Sequence, residues 1–221
     1  MGIIAIDLSQ GREGQVHDEI LEKRGQRPND EPQNCASAAV IALDPGQTTG
    51  WSFMLVHPES LSDPKVRVLD NITTHQHGQV KSVRDDLSMT DGESLAVDDL
   101  WDFIDAWPGA AIVMEDFVIR GHDRSRQFLS PVRIMAKIDY LLWKTGRSAF
   151  RQSPSDAKNT CSDARLKEWG LYDSYGGLNH ARDADRHALL FLRKSKQNEY
   201  LRRAAWPHIF DNEHKLQAVG G

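Results

Sequence analysis

The stretch AAVIALDPGQTTGWSFMLVH, residues 38–57, decides the fold. Its first part, 38–44, is a continuous apolar run ending in an acid, the pattern of a strand buried on both faces. Pro45-Gly46 turns the chain. Thr48 to His57 is β-branched and aromatic, which reads as a second strand. Working outward, residues 66–80 supply a third strand. Residues 93–106 place Leu95, Leu100, Phe103 and Ile104 at helical spacing, and Pro108-Gly109 ends that helix. Residues 110–118 (AAIVMEDFV) form another buried strand with Glu115 near its end. Residues 131–145 open with proline and carry Ile134, Ile138, Leu141 and Leu142 on one stripe. A short strand at 148–152 follows. One helix runs from Ser153-Pro154 to about Trp169, and Gly176-Gly177 marks a loop. A helix over 180–194 is expected to take Asn179 as its cap. Three strands in series form an antiparallel meander, and the alternating strands and helices after them add parallel neighbours. The expectation is an α/β domain: a mixed five-stranded sheet flanked by helices.

On either side of this domain, set at 38–200, the signal weakens. Residues 1–37 read as a polar, mobile N-terminal arm with one short helix at 17–24, and 201–221 as a C-terminal tail. The chain has 221 residues, 39% hydrophobic and 27% charged, enough to bury a core. No apolar run approaches the roughly 20 residues of a membrane span. The opening residues lack the basic segment of a secretory signal. Two cysteines, Cys35 and Cys161, exclude a disulfide framework, so a cytoplasmic setting is expected. Net charge is −5 but unevenly spread: residues 1–119 carry 8 Lys/Arg against 21 Asp/Glu, whereas 120–203 carry 18 against 9. A stretch that basic suits a polyanionic partner as well as it suits solvated helix faces.

Three acids interrupt apolar sequence or open a late helix: Asp44, Glu115 and Asp183. An ionised carboxylate is costly to bury unless it is paired or binds a metal. If the first and fourth strands are neighbours, Asp44 and Glu115 meet. Their repulsion is relieved by a divalent cation, and all-oxygen ligation suits Mg²⁺ or Mn²⁺. At 100° per residue, His180, Asp183 and His187 share one helix face with Ala184, Ala188 and Phe191. Asp185 points about 200° away from Asp183 and is assigned to solvent or a surface ion pair. Singly, each acid is as readily a turn residue, and each histidine a packing residue; the joint arrangement is what points to chemistry.

These residues resemble the RuvC-type branch of the RNase H-like nucleases. DPGQTTGW, from Asp44 to Trp51, looks like that family's opening D-P-G-x-x-x-T-G turn with one residue fewer. Val113-Met114-Glu115-Asp116 looks like the strand bearing the second acid. Ser153 to Lys158 is similar to the segment before the late helix, and His180-Ala-Arg-Asp-Ala184 to the closing H-x-x-D-A helix. Arg186-His187-Ala188-Leu189 is similar to compact phage-type members, which implies a phage or prophage origin. The match spans about residues 38–195 in the family's element order.

What the resemblance implies is an RNase H-like fold and a metal-dependent endonuclease cutting branched DNA, chiefly four-way (Holliday) junctions, as a homodimer. Asp44, Glu115 and Asp183 carry two Mg²⁺ or Mn²⁺ ions in this reading. His180 stands where many relatives have an acid, so its role as ligand or as donor to phosphate stays open. Lys158 contacts the scissile strand, and Arg120, Arg124 and Arg126 track the DNA backbone. Phe117 or Phe128 wedges at an opened junction, against core packing as the alternative.

Other features carry less. Asp7 lacks a following Pro-Gly turn, and Asp116 points to the strand face opposite Glu115. His75-x-His77 puts two imidazoles on one strand face, but no further zinc ligand at suitable spacing accompanies it. Cys161 reads as a plain helix thiol. Three rival functions remain: a broader flap or structure-specific nuclease, a non-catalytic DNA-binding module, and an actin-like nucleotide-binding kinase. For the last, the chain is short of a second domain.

Overall fold

A computed structural model describes residues 4–7, 37–117, 128–172 and 177–211. The strands are β1 (Ile4–Asp7), β2 (Ala38–Asp44), β3 (Thr48–Val56), β4 (Ile72–Lys81), β5 (Ala111–Glu115) and β6 (Ala149–Gln152). The helices are α1 (Glu59–Ser62), α2 (Met89–Asp105), α3 (Ser130–Lys144), α4 (Pro154–Thr160), α5 (Asp163–Glu168), α6 (Asn179–Gln197), α7 (Glu199–Ala205) and α8 (Pro207–Phe210).

The five expected strands form one mixed sheet, and β1 extends it to six in the order β1-β4-β3-β2-β5-β6. Strands β2, β3 and β4 are the antiparallel meander; β5 and β6 add in parallel beyond β2, and β1 pairs in parallel with β4. The sequence reading placed residues 4–7 in the arm. The proposed helix at 17–24 lies outside the described residues.

All seven residues of β2 are buried because both sheet faces are covered. Alternation sorts them. Ala38, Val40 and Ala42 join the core that contains Ala188, Phe191 and Leu192 of α6; Ala39, Ile41 and Leu43 join the core under α2 and α3. The same alternation puts Ala111 and Val113 on the α6 face. Asp44 and Glu115 therefore project toward α6.

Local chemistry shifts several boundaries. Helix α2 begins at Met89, earlier than expected, because Ser88 caps it by accepting from the Asp91 amide. The single helix expected from 153 to 169 breaks at Cys161, and Ser162 caps a new one by accepting from the Arg165 amide. Asn179 is the first residue of α6 rather than its cap; its side chain accepts from Arg182. Residues 201–210, read as the start of a tail, belong to the packed domain. Trp206 is fully buried and donates from its indole to the Ala39 carbonyl at 2.7 Å, and Phe210 packs beside it.

Candidate active site

The turn after β2 is fixed by its own residues. Thr49 Oγ1 donates to the Gly46 carbonyl at 3.1 Å and lies 3.3 Å from the Gly46 amide, closing the loop between Asp44 and β3. Gly50, opposite Asp44 in the β2–β3 ladder, leaves room for the first turn of α6. Ala181, Ala184 and Ala188 are fully buried, so α6 lies close on the sheet.

Strands β2 and β5 run parallel and pair Leu43 with Met114. Asp44 and Glu115, one step further along each, end side by side at the strands' C-terminal edge. Helix α6 brings His180, Asp183 and His187 over them. His180 Nδ1 lies 2.8 Å from Asp44 Oδ2, and His187 Nε2 lies 2.9 Å from Glu115 Oε2. The other ring nitrogen of His187 meets Gln152 Oε1 on β6 at 3.1 Å. Asp183 accepts from Arg186 and pairs with Lys158 Nζ at 3.3 Å.

The acids share one electrostatic environment. Burial, above all, pushes the Asp44 carboxyl above the usual carboxylate range; the charges of Glu115 and Asp183 add to this, while the His180 bond opposes it. The bond to Asp44 holds His180 above its ordinary value, against burial, with support from the charges of Asp44, Asp183 and Glu115.

These three oxygen donors match the chemistry of a hard divalent ion. Among the described residues, their pairs fall on Oδ2 of Asp44 and Oε2 of Glu115. Their array is wide, however. Among the described residues, the only three possible ligand atoms within 4.8 Å of one another belong to His75, His77 and Asp185. Each acid is instead held by a basic side chain: Asp44 by His180, Glu115 by His187, and Asp183 by both Lys158 and Arg186.

Beside Asp183 opens a cleft of about 420 Å³ lined by Lys158, Asn179, Arg182, Asp183 and Arg186 with Ser162 and Asp163. Arg186 holds its wall by donating to the Cys161 carbonyl at 2.9 Å and by pairing with Asp163 as well as Asp183. The sequence reading did not assign Arg182, Arg186 or Gln152 to the site. Only the i, i+3 spacing of Asp183 and Arg186 signalled any of them.

Arg120, Arg124 and Arg126 lie outside the described residues. Phe117 and Phe128 stack edge to face at 5.4 Å, and Phe117 packs against the α2–α3 core. Asp185 corrects the expectation outright. It is fully buried between His75 and His77, with its oxygens 2.7 Å from His75 Nε2 and 2.6 Å from His77 Nδ1. The one-stripe picture fails because residues 184–192 are buried without a break: the sheet, α1, α4 and α7 surround α6.

The mixed sheet, its strand order and the helix crossing its acidic edge define a RuvC-like, RNase H-like α/β fold. Two solved structures from Thermus thermophilus are similar to it. RuvC in complex with a Holliday junction substrate has TM-score 0.52 and 12% identity, over 72% of this chain and 96% of that one. A second RuvC structure gives TM-score 0.50 and 13% identity over the same shares. No family model matches the sequence, and no curated protein matches it significantly.

Proposed function

We propose that this chain is a Mg²⁺- or Mn²⁺-dependent endodeoxyribonuclease that cuts branched DNA, with the four-way junction as substrate and a homodimer as the working form. The observation that carries this reading is the pairing of Asp44 and Glu115 at adjacent strand ends beneath the helix bearing His180 and Asp183. That arrangement stands in a fold similar to a RuvC whose structure holds a Holliday junction substrate.

Asp44, Glu115 and Asp183 are the carboxylates that hold the metal, two ions in the full site. Bound there, divalent ions supply an activated water and a charge clamp for the leaving oxygen. His180, tied through Nδ1 to Asp44, offers its Nε2 to a phosphate oxygen. Lys158, Arg182 and Arg186 line the cleft beside Asp183 and neutralise backbone phosphates. Arg120, Arg124 and Arg126 extend that basic track in this proposal.

The test is incubation of the full chain with a synthetic four-way junction, a linear duplex and a splayed single strand, in Mg²⁺ or EDTA. The expected result is Mg²⁺-dependent cleavage confined to branched DNA. Asp44→Asn removes several kcal/mol of charge stabilisation. Cleavage then falls about 10³-fold at 1.36 kcal/mol per tenfold, while junction binding persists. Unchanged cutting by that variant defeats the assignment. A second reading, a DNA-binding module that does not cut, draws on the basic partner held by every acid. Tight junction binding with no cleavage in either Mg²⁺ or Mn²⁺ would favour it.

A further inference from the structure

His75 and His77 stand two residues apart on β4, so both imidazoles project from the sheet face that α6 covers. From α6, Asp185 descends between them and meets one ring with each carboxylate oxygen. The three ligand atoms lie within 4.8 Å of one another. His77 and Asp185 are 0% exposed and His75 5%.

Two further observations bear on this cluster. First, Asp185 pairs with His75 and His77 and with no Lys or Arg among the described residues. Buried carboxylates are ordinarily matched by a cation or a metal. Second, the surroundings hold unanswered polar atoms. Ser52 lies directly across the ladder from His77, on the same sheet face, and its fully buried hydroxyl has no hydrogen-bond partner among the described residues. The outer nitrogen of His75, Nδ1, likewise has none among them.

The geometry points to a structural zinc-class metal site formed by His75 Nε2, His77 Nδ1 and the Asp185 carboxylate, with the Ser52 hydroxyl in reach of the fourth position. Two imidazole nitrogens and one carboxylate oxygen make a borderline-soft donor set, which selects Zn²⁺ over the hard Mg²⁺. The ion replaces two N–H···O contacts; each neutral ligand ring then carries its single proton on the other nitrogen, Nδ1 of His75 and Nε2 of His77, and a ring that starts as imidazolium releases its second proton to solvent. With every ligand buried, no open position faces substrate, so the site is structural. Its effect is mechanical: it pins α6 to β4 two residues beyond Asp183, fixing the helix rotation that turns Asp183 toward Asp44. The inference does not depend on the nuclease reading.

The test uses the EDTA-stripped full chain, without DNA, titrated with Zn²⁺ in excess Mg²⁺, which occupies the all-oxygen site of Asp44, Glu115 and Asp183. The expected result is one equivalent bound per chain. At a hundredfold excess over the dissociation constant, the melting temperature rises about 5–10 °C. Substitution by Co²⁺ should give the visible absorption of a four-coordinate nitrogen–oxygen site. Asp44→Asn should bind zinc as the wild type does, which separates this cluster from the acids above it. His75→Gln and His77→Gln, whose amides retain a donor toward Asp185, should lose both zinc binding and the thermal shift. If the wild type takes up no zinc and its melting temperature does not move, the cluster is a hydrogen-bonded clamp only and the proposal fails. It fails equally if the glutamine variants bind as the wild type does, or if Asp44→Asn abolishes binding. Should the glutamine variants not fold, the zinc X-ray absorption spectrum of Asp44→Asn decides: two imidazoles support the site, and fewer overturn it.

Discussion

Gly50 of β3 lies against the backbone of His180, so that a Cβ on Gly50 would overlap the His180 carbonyl and come within 2.7 Å of the Ala181 amide nitrogen. The Thr-Gly pair after the turn is therefore a spacing device for the helix. Gly50→Ala must lift the first turn of α6 away from the sheet. Overpacking of this kind costs about 1–3 kcal/mol. That corresponds to a melting temperature lower by about 3–10 °C for a chain of this size. Because His180 and Asp183 shift with the turn, junction cleavage should fall more steeply than stability. A variant that melts and cuts like the wild type would remove Gly50 from this role.

The contact between His180 and Asp44 predicts a pH dependence. His180 is held above its ordinary value chiefly by that bond. A raised histidine contributes stability that is complete below about pH 6.5, its unfolded value, and fades as pH rises through the folded value. Metal-free His180→Gln should therefore melt below the wild type at pH 5.5, and the gap should narrow by pH 8.5. A gap that widens with pH would contradict the pairing.

Glu93 on α2 is fully buried and receives Arg133 of α3 through two contacts, at 2.7 Å and 2.5 Å. Burial pushes its carboxyl up, but the hydrogen bonds from Arg133 prevail and, with the charges of Arg133 and Lys137, hold it below the usual range. Arg133→Ala strands a buried carboxylate and should cost about 3 kcal/mol at neutral pH. A group with a lowered folded value gives stability that is present above its unfolded value and lost as pH falls through the folded one. The deficit of the variant should thus shrink below about pH 4. Chemical denaturation at pH 7 and pH 4 reads this directly, and equal deficits at both would refute it.

Cys161, where α4 gives way to α5, is 1% exposed. Burial pushes its thiol up to about 11, against the opposing charges of Arg165, Arg186 and Arg193. At pH 8 it carries about 100-fold less thiolate than an ordinary cysteine. Peptide mass spectrometry after iodoacetamide treatment should find Cys161 unmodified in the native chain and alkylated in urea. Equal labelling in both states would show the thiol to be accessible.

The sheet was legible because its signals are local. AAVIALD is uniformly apolar, Pro45-Gly46 punctuates it, and β2 falls on residues 38–44 as the pattern requires. The face shared by His180, Asp183 and His187 followed from helical geometry alone. Asp185 was misread for the opposite reason. The helix rule presumes one buried stripe, and nothing near Asp185 in the sequence announces that residues 184–192 of α6 are buried all round. Its partners stand 110 and 108 residues earlier. Gln152, which meets His187, was hidden in the same way, since it reaches α6 only through the fold. Trp206 was lost to the tail because a single aromatic among charged residues gives no periodic signal.

The indole of Trp206 caps a carbonyl of the central strand from 167 positions further along the chain. During synthesis at about 5–20 residues per second, β2 therefore waits roughly 10–30 s for its last covering layer. Until then its α6-side flank stays greasy and open. Translation stalled before residue 206 should leave a sticky, protease-sensitive intermediate.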